Sequence, residues 1–249
     1  MKRSNKFILV SLILALVVVF ASYLILYGQY KQGHIKTLKD KDAEQMIVYH
    51  PPAFRFISLS GIVWINIIPS DSQWVELPPG ENRGNTVPTP RVSGDTLFIT
   101  GSNPIPLHRA YADWYYRHSF LPINIHVHQP REISITNGQL MLTGAKDSSI
   151  LNSVVLKATG STVWIGEYNE PSHSEQPKEF FDSLNIRLDN TILLLNRPAV
   201  INHLHARLDN NSELNDRSAI IGYPDISSSR ESHVSLTGDN LKKTTINVH

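Results

Sequence analysis

The sequence predicts an all-β domain, built as a parallel β-helix or β-solenoid, behind one N-terminal transmembrane helix. Three observations predict this architecture. Residues 7–27 read FILVSLILALVVVFASYLILY, an apolar run interrupted only by Ser11 and Ser22. From residue 54 onward, short β-branched and aromatic runs alternate with clusters of Gly, Pro, Asn, Asp and Ser, which is typical of strands and turns. In the C-terminal third, the sequence repeats with a spacing of 20 residues, which is typical of stacked repeat folds.

The apolar run is long enough to cross a bilayer. At about 1.5 Å per residue it spans roughly 30 Å, the thickness of the hydrocarbon core. We therefore assign residues 1–6 to a short cytoplasmic tail, 7–28 to a transmembrane anchor and 29–53 to a juxtamembrane stalk that is partly helical between residues 35 and 48. The alternative is a cleaved signal peptide, although the run is longer than the usual apolar region of such peptides.

Charge alone leaves the membrane orientation nearly balanced. Basic residues flank the apolar run on both sides, so the positive-inside rule gives only a weak preference. They are Lys2, Arg3 and Lys6 before it and Lys31, Lys36, Lys39 and Lys41 after it. Because the N-terminal tail is short, we expect the long C-terminal part to be translocated. The expected location is the cell membrane, single-pass, with an extracytoplasmic C-terminal domain in the periplasm or at the cell surface.

The composition excludes several classes of function. The chain has 23 basic and 22 acidic residues and a net charge of +1, with no Lys/Arg-rich stretch in its body, so nucleic-acid binding is not expected. It contains no cysteine, which excludes a disulfide framework, a thiol nucleophile and a Cys-based zinc site. The nucleotide-binding, zinc-protease and serine-hydrolase motifs GxxxxGK[ST], HExxH and GxSxG do not occur either.

Several runs have the period-two alternation of strands. In INIHVH, residues 123–128, apolar and polar side chains fall on opposite faces. EISITNGQLMLTG, residues 132–144, reads as two strands around Asn137-Gly138, either a hairpin or a tight turn. Further strands are predicted at residues 56–67, 96–100 and 154–158, with insertions near 103–120 and 167–179.

The repeat is the most informative feature. NIRLDNTILLL from Asn185 aligns with HARLDNNSELN from His205. A further step of 20 residues reaches Ile226, and a step back of 30 reaches LKATGSTVWI from Leu156, the added length being the insertion at 167–179. Such repeats would stack as rungs about 4.8 Å apart, with Ile and Leu inward and Asn or Asp at the corners. The alternative is an antiparallel sandwich whose hairpins resemble one another.

In order along the chain, these motifs resemble the autotransporter adhesin head family, known as the GIN domain family. The motifs are ISLSGIVWINI (57–67), RVSGDTLFITG (91–101) and the repeats VVLKATGSTVWI, LNIRLDNTILLL and DISSSRESHVSLTGDNLKK. The resemblance covers residues 54–243, with 103–120 as a departure, and leaves 244–249 as a C-terminal tail. It implies an exported parallel β-helix of bacterial envelopes and supplies no catalytic residues.

Two sets of residues are candidates for chemistry within the repeats. The predicted ladder consists of Arg187, Asp189, Asn190, Arg207, Asp209 and Asn210. Its carboxylates would suit a divalent cation or a sugar, whereas the alternative is an exposed ladder in which Arg and Asp neutralise each other. The His126/His128 and His203/His205 pairs would each supply two nitrogens to a metal; since no third ligand is identified, we predict surface pairs and no metal site.

An aromatic-rich segment supplies the candidate partner- or ligand-binding residues. They are Tyr111, Trp114, Tyr115, Tyr116 and Arg117. Flat aromatic side chains give a large contact area for a sugar or a protein. The alternative is that they cap one end of the core.

These observations predict a non-enzymatic envelope protein with an adhesion, scaffold or partner-binding role. The expected partners are the membrane, through residues 7–28, and an envelope protein or a glycan, with no nucleic acid and no cofactor. The alternative is a carbohydrate-active lyase or hydrolase on a β-helix scaffold, with an acidic pair in a groove. Signalling through the stalk ranks last because residues 1–6 leave little room for output. Homo-oligomers through the solenoid ends are a further expectation.

Overall fold

The computed structural model describes residues 3–31, 46–61, 64–78, 81–82, 85–86, 88–101, 122–147, 153–166 and 178–249. The chain divides into two compact units, Met1–Gln45 and Met46–His249. The first unit contains helix α1, Arg3–Lys31. Its segment Ser11–Lys31, with a mean hydropathy of 2.4, is long and apolar enough to cross a membrane. A membrane anchor and a signal sequence share these properties.

The predicted stalk is only partly described. Residues 32–45 lie outside the described residues, and with them most of the helix predicted between 35 and 48. At its far end the prediction is wrong, because Ile47–Tyr49 is strand β1. The β-branched Ile47 and Val48 favour a strand, and this strand pairs antiparallel with Trp74–Leu77, called β4.

Most of the second unit is β-structure, which confirms the predicted all-β class. Among the described residues, sheets A and B have nine strands each. In spatial order, sheet A consists of β1, β4, β9 (Ile123–Val127), β3 (Ile65–Pro69), β11 (Gln139–Leu142), β13 (Thr162–Ile165), β15 (Ile192–Asn196), β17 (Glu213–Arg217) and β19 (His233–Ser235). Sheet B consists of β20 (Thr245–Val248), β18 (Ile220–Ser228), β16 (Ala199–Asp209), β14 (Glu179–Asp189), β12 (Ser153–Thr159), β10 (Glu132–Thr136), β2 (Phe56–Ser60), β8 (Thr96–Thr100) and β7 (Arg91–Ser93). The short strands β5 (Glu81–Asn82) and β6 (Asn85–Thr86) pair with each other, and helix α2 is Gly238–Lys243.

Both sheets are mixed, with antiparallel pairs confined to one margin. Strands β1, β4 and β9 pair antiparallel in sheet A, as do β7 and β8 in sheet B. The remaining neighbours in sheet A, from β9 to β19, are parallel. Those in sheet B, from β8 to β20, are parallel as well.

The register of sheet B follows the sequence repeat. Arg187 is opposite Arg207, in agreement with the spacing of 20 residues. The longer step of 30 is also found, because Leu156 is opposite Ile186. One further step places Ala206 opposite Ile226. We call each sheet-B strand, with the corner and the sheet-A strand that follow it, one repeat.

Asparagine and glycine turn the chain from sheet B into sheet A. Asn137, Gly160, Asn190 and Asn210 have positive φ angles of 50°, 57°, 48° and 44°. Gly and Asn adopt this left-handed conformation more readily than other residues. Because the conformation recurs at equivalent positions, it ends the strands of sheet B at a constant place in these repeats.

Because of these corners, the structure differs from two elements predicted from the sequence. The hairpin predicted at Asn137-Gly138 is wrong, because β10 and β11 belong to different sheets, and the tight-turn alternative holds. The strand predicted over residues 56–67 is divided into β2 and β3, and Gly61 with φ 60° follows the first of them.

Buried hydroxyl groups connect the corners of successive repeats. The Ser161 N–H donates to Thr191 Oγ1 at 3.2 Å, and the Thr191 N–H donates to Ser212 Oγ at 3.3 Å. The Ser212 N–H in turn donates to Ser232 Oγ at 3.1 Å. Each bond satisfies a backbone donor that the corner removes from the sheet ladder, because a buried N–H without an acceptor is costly.

The core consists of alternate side chains from both sheets. In β9, Ile123, Ile125 and Val127 are buried and belong to one hydrophobic cluster with residues of both sheets. Asn124 and His126 point to the other face and are half-buried. The faces predicted for this strand are therefore confirmed.

The spatial order of the first repeats differs from their sequence order. Strands β8 and β9 follow β2 and β3 in the chain but lie outside them, between them and the antiparallel margin.

At the other margin, residues 244–249 do not form a simple tail, since β20 pairs parallel with β18. The buried Asp216 carboxylate fastens this end by accepting hydrogen bonds from the side chains of Thr237 and Asn240.

Candidate functional site

The outer face of sheet B carries the predicted ladder. Arg187 and Arg207 lie side by side in register, as do Asp189 and Asp209. Lys157 extends the basic column by one strand, because it is opposite Arg187. The side chains of Lys157, Arg187 and Arg207 are 53%, 63% and 54% exposed. Strand alternation directs Leu188 and Leu208 to the core and leaves these charges in solvent.

Asp209 is the most connected member of the ladder. Arg207 Nε lies 3.2 Å from both of its carboxylate oxygens, and Arg187 Nε lies 3.4 Å from Oδ2. His249 Nε2 lies 3.1 Å from Oδ1, and Ser227 Oγ lies 3.0 Å from His249 Nδ1. These contacts come from three strands and from the residue after β20, so they hold the carboxylate in one position.

The net effect of these contacts is to keep Asp209 ionised. Desolvation raises its pKa, but hydrogen bonds from His249 and Arg207 and the charges of Arg207 and Arg187 lower the pKa by more. The pKa therefore lies below the usual range of an aspartate. A general acid for glycoside hydrolysis needs the opposite shift.

The two asparagines of the ladder lie at corners. Asn190 and Asn210 have the left-handed conformation described above, and Asn210 Nδ2 donates to Asp189 Oδ1 at 2.8 Å. The predicted ladder is thus brought together in full. Its Arg and Asp members lie on the strands of the outer face, and its Asn members end those strands.

A shallow open groove follows the ladder across β12, β14 and β16. Its volume is about 590 Å³, within the usual range of ligand sites, roughly 300–1,000 Å³. Every lining residue except one is polar or charged. They are Lys157, Ala158, Thr159, Arg187, Asp189, Arg207, Asp209 and Asn210.

The second histidine pair lies on the same face. The His203 ring stacks on Tyr223, with centroids 5.0 Å apart, and Tyr223 is 71% exposed. His205 Nδ1 lies 3.0 Å from Asp225 Oδ2. The two histidines thus contact different partners. Within the part of the chain that the structure describes, no group of three metal-binding side chains occurs.

The first histidine pair lies near a polar cluster on sheet A. His126 stacks on Trp74 with centroids 4.1 Å apart, and its Nε2 lies 3.4 Å from Glu76 Oε1. Asn124 Nδ2 donates to Glu76 Oε2 at 2.8 Å, and Asn66 Nδ2 donates to Asn124 Oδ1 at 2.9 Å. His128 is exposed and lies beyond the strand.

Glu76 is held as a carboxylate in this cluster. Desolvation raises its pKa, and hydrogen bonds from Asn124 and Trp74 together with His126 lower the pKa by more. The sequence pattern indicates His126 as a candidate but not Glu76, Trp74 or Asn66. The period-two pattern of WVEL places Trp74 and Glu76 on one face, but nothing in the sequence indicates that β4 lies beside β9.

Part of the outer face of sheet A is buried, whereas the ladder on the outer face of sheet B is exposed. Trp164 and Leu194 are opposite each other and are 0% and 4% exposed, yet neither belongs to the core cluster between the sheets. Trp64 stacks on Trp164 with ring centroids 5.4 Å apart. The regular exposed surface is therefore on sheet B.

The predicted aromatic site belongs to a part of the chain outside the described residues. Tyr111, Trp114, Tyr115, Tyr116 and Arg117 lie outside the described residues. The insertion at 103–120 lies outside them entirely. The insertion at 167–179 lies outside them up to residue 177, and Glu179 is the first residue of β14.

The chain has little similarity to the known proteins with which it was compared. No family model matches the chain, so the resemblance to the GIN domain family has no support of that kind. No curated protein matches it either. Among solved structures, the chain is similar to a crystal structure described as "a putative adhesin from Parabacteroides merdae", with 6% identity, 76% of this chain and 84% of that chain covered, and a TM-score of 0.37. Similarity at this level supports no argument about function.

Proposed function

We propose that the chain is a membrane-anchored extracytoplasmic protein with a non-enzymatic binding role in adhesion or envelope scaffolding. The open outer face of sheet B carries this proposal. It presents the same polar side chains at the spacing of neighbouring strands, and ion pairs hold those side chains in place. A stiff, exposed and periodic surface suits the recognition of an extended partner.

We propose that the repeats of sheets A and B form a β-solenoid. The parallel pairs in both sheets, the constant register and the left-handed corners support a fold in which each repeat is one coil. Residues 54–243 are proposed to form this domain, in keeping with the motif resemblance to the GIN domain family. The antiparallel strands at one margin depart from the parallel pairing of the repeats, as the atypical terminal repeats of solenoids do.

Helix α1 supports the proposed membrane location. We propose residues 7–28 as an uncleaved anchor, because the helix is apolar over a length that spans a bilayer. With residues 1–6 on the cytoplasmic side, the long C-terminal part is translocated, as the proposed envelope role requires. The chain has no cysteine, so single introduced cysteines can report its topology without background. With a membrane-impermeant maleimide on intact cells, we expect labelling of Lys242→Cys and none of Ser4→Cys. The reverse pattern would refute the orientation, and a mature protein lacking the N-terminal segment would refute the anchor.

An enzymatic role has weaker support. The groove does contain two neighbouring carboxylates, Asp189 and Asp209. The environment of Asp209 favours its ionisation, however, so Asp209 does not supply the acid that glycoside hydrolysis requires. The ladder is therefore proposed as a binding surface.

Co-sedimentation with isolated envelope material tests the binding role. The full chain in lipid nanodiscs is mixed with sedimented envelopes from which membranes have been extracted. We expect the wild type to sediment with them and Arg187→Glu/Arg207→Glu to remain in the supernatant. Lys242→Glu, an exposed charge reversal in α2, is the matched control and should sediment as the wild type does. No sedimentation, or equal sedimentation of all three proteins, would refute the proposed function.

A further inference from the structure

The charges in and beside the groove cancel. The lining contains three basic side chains, Lys157, Arg187 and Arg207, and two carboxylates, Asp189 and Asp209. Glu132 lies beside the groove and pairs with Lys157, so the net charge of these six groups is zero. Lys157 Nζ lies 2.8 and 2.9 Å from the two oxygens of Glu132. In the groove, a polyanion would meet the carboxylates of Asp189 and Asp209, and a divalent cation would meet the guanidinium groups of two arginines. Neither is the complement of this surface.

The groove offers hydrogen-bond donors along one column of side chains and acceptors along the neighbouring column. The guanidinium groups donate and the carboxylates accept, while the Thr159 hydroxyl does both. An apolar ligand would find little to contact, because Ala158, the one apolar residue in the lining, is 1% exposed and belongs to the core. A ligand that carries many hydroxyl groups, each a donor and an acceptor, matches this pattern.

The groove is also organised in advance. Asp209 is held by Arg187, Arg207 and His249, and Asp189 by Asn210. A ligand would therefore bind without first ordering these side chains, which reduces the entropic cost of binding. Arg187 and Arg207 contact Asp209 through Nε, and their side chains are more than half exposed, so a ligand in the groove can reach them.

We infer that this groove binds a neutral, hydroxyl-rich polysaccharide that lies along the stack of strands β12, β14 and β16. Successive sugar units would meet the basic column on one side and the Thr159–Asp189–Asp209 column on the other, strand after strand. The neighbouring strands are about 4.8 Å apart, which is close to the length of one pyranose unit. The inference rests on the proposed binding role and names the ligand class for it.

Binding of defined glycans to the full chain in nanodiscs tests the inference. Biolayer interferometry would compare an array of neutral glycans, including cellohexaose, maltohexaose and the hexamer of N-acetylglucosamine, with hexagalacturonate as the acidic counterpart. We expect at least one neutral hexamer to bind more tightly than hexagalacturonate. Asp209→Asn and Arg187→Gln should each weaken that binding by about tenfold, because each removes a charged hydrogen-bonding partner.

Two control variants locate the binding. Asp239→Asn, the same chemical change at an exposed site in α2, and Tyr223→Ala, on sheet B but outside the groove, should bind as the wild type does. The inference is overturned if no neutral glycan binds, if hexagalacturonate binds best, or if the controls lose affinity equally. If envelope co-sedimentation persists while every neutral glycan fails, the binding role stands and the ligand class is wrong. If both assays fail, the proposed function falls as well.

Discussion

Removal of one buried hydroxyl group tests how the corners are stabilised. Thr191 is 0% exposed, and its Oγ1 accepts a hydrogen bond from the Ser161 N–H and donates one to the Asp189 carbonyl at 2.9 Å. Thr191→Val keeps the size and branching of the side chain, so no cavity forms. The Asp189 carbonyl retains a hydrogen bond from the Gly160 N–H at 3.0 Å. The Ser161 N–H loses its acceptor.

The expected cost is therefore that of one buried donor without a partner. Such a donor destabilises a protein by about 1–3 kcal/mol, which for a domain of this size lowers the melting temperature by roughly 2–4 °C per kcal/mol. Urea unfolding of the full chain, followed by tryptophan fluorescence, measures the change as a shift in midpoint at constant slope. Thr191→Ser keeps the hydroxyl and loses one methyl group, so it should cost about 0.8 kcal/mol. A Val variant as stable as the Ser variant would refute the role of the hydroxyl group.

Three further predictions use the same unfolding assay. Asn190→Ala should destabilise the fold by about 1 kcal/mol, because alanine resists the left-handed conformation. Asn190→Gly should change the free energy of unfolding by less than about 0.5 kcal/mol, because glycine adopts that conformation readily. Equal effects of the two substitutions would contradict this explanation. Leu188→Ala, at a fully buried position, should cost about 2–5 kcal/mol, and a smaller loss would mean that the core is not packed there. The lowered pKa of Asp209 stabilises the fold above the usual aspartate pKa, and this contribution is lost as the pH falls through the lowered value. Asp209→Asn should therefore be less stable than the wild type at neutral pH, and the difference should shrink in acid; a difference independent of pH would contradict the linkage.

The sequence predicted the register of sheet B because its repeat is carried by two independent requirements. The core needs an apolar side chain at Ile186 and Leu188, and the corner needs a residue that tolerates a positive φ at Asn190. Both requirements recur in the next repeat at Leu208 and Asn210. A spacing that satisfies packing and backbone conformation together can be read without a structure.

The antiparallel margin could not be predicted in the same way. Strands β8 and β9 lie outside β2 and β3, so chain order and spatial order differ there. No repeat marks this exchange, because Val75 and Ile125 are opposite each other without any fixed spacing in the sequence. The cluster around Glu76 depends on the pairing of β4 with β9. For this reason His126 is recognisable from the sequence and its carboxylate partner Glu76 is not.

The repeated charges on the outer face of sheet B do not follow from folding requirements. Folding explains why Leu188 and Leu208 match, but an exposed position accepts almost any polar residue. The ion pairs of Arg187 and Arg207 with Asp209 lie at a surface where such pairs contribute about 0–1 kcal/mol, too little to require the same residues in successive repeats. A polymeric ligand does supply a reason, because each of its units makes the same demand on each strand it crosses. The identity of Arg and Asp on the outer face of sheet B, more than the buried core beneath them, therefore directs the search for function to this groove.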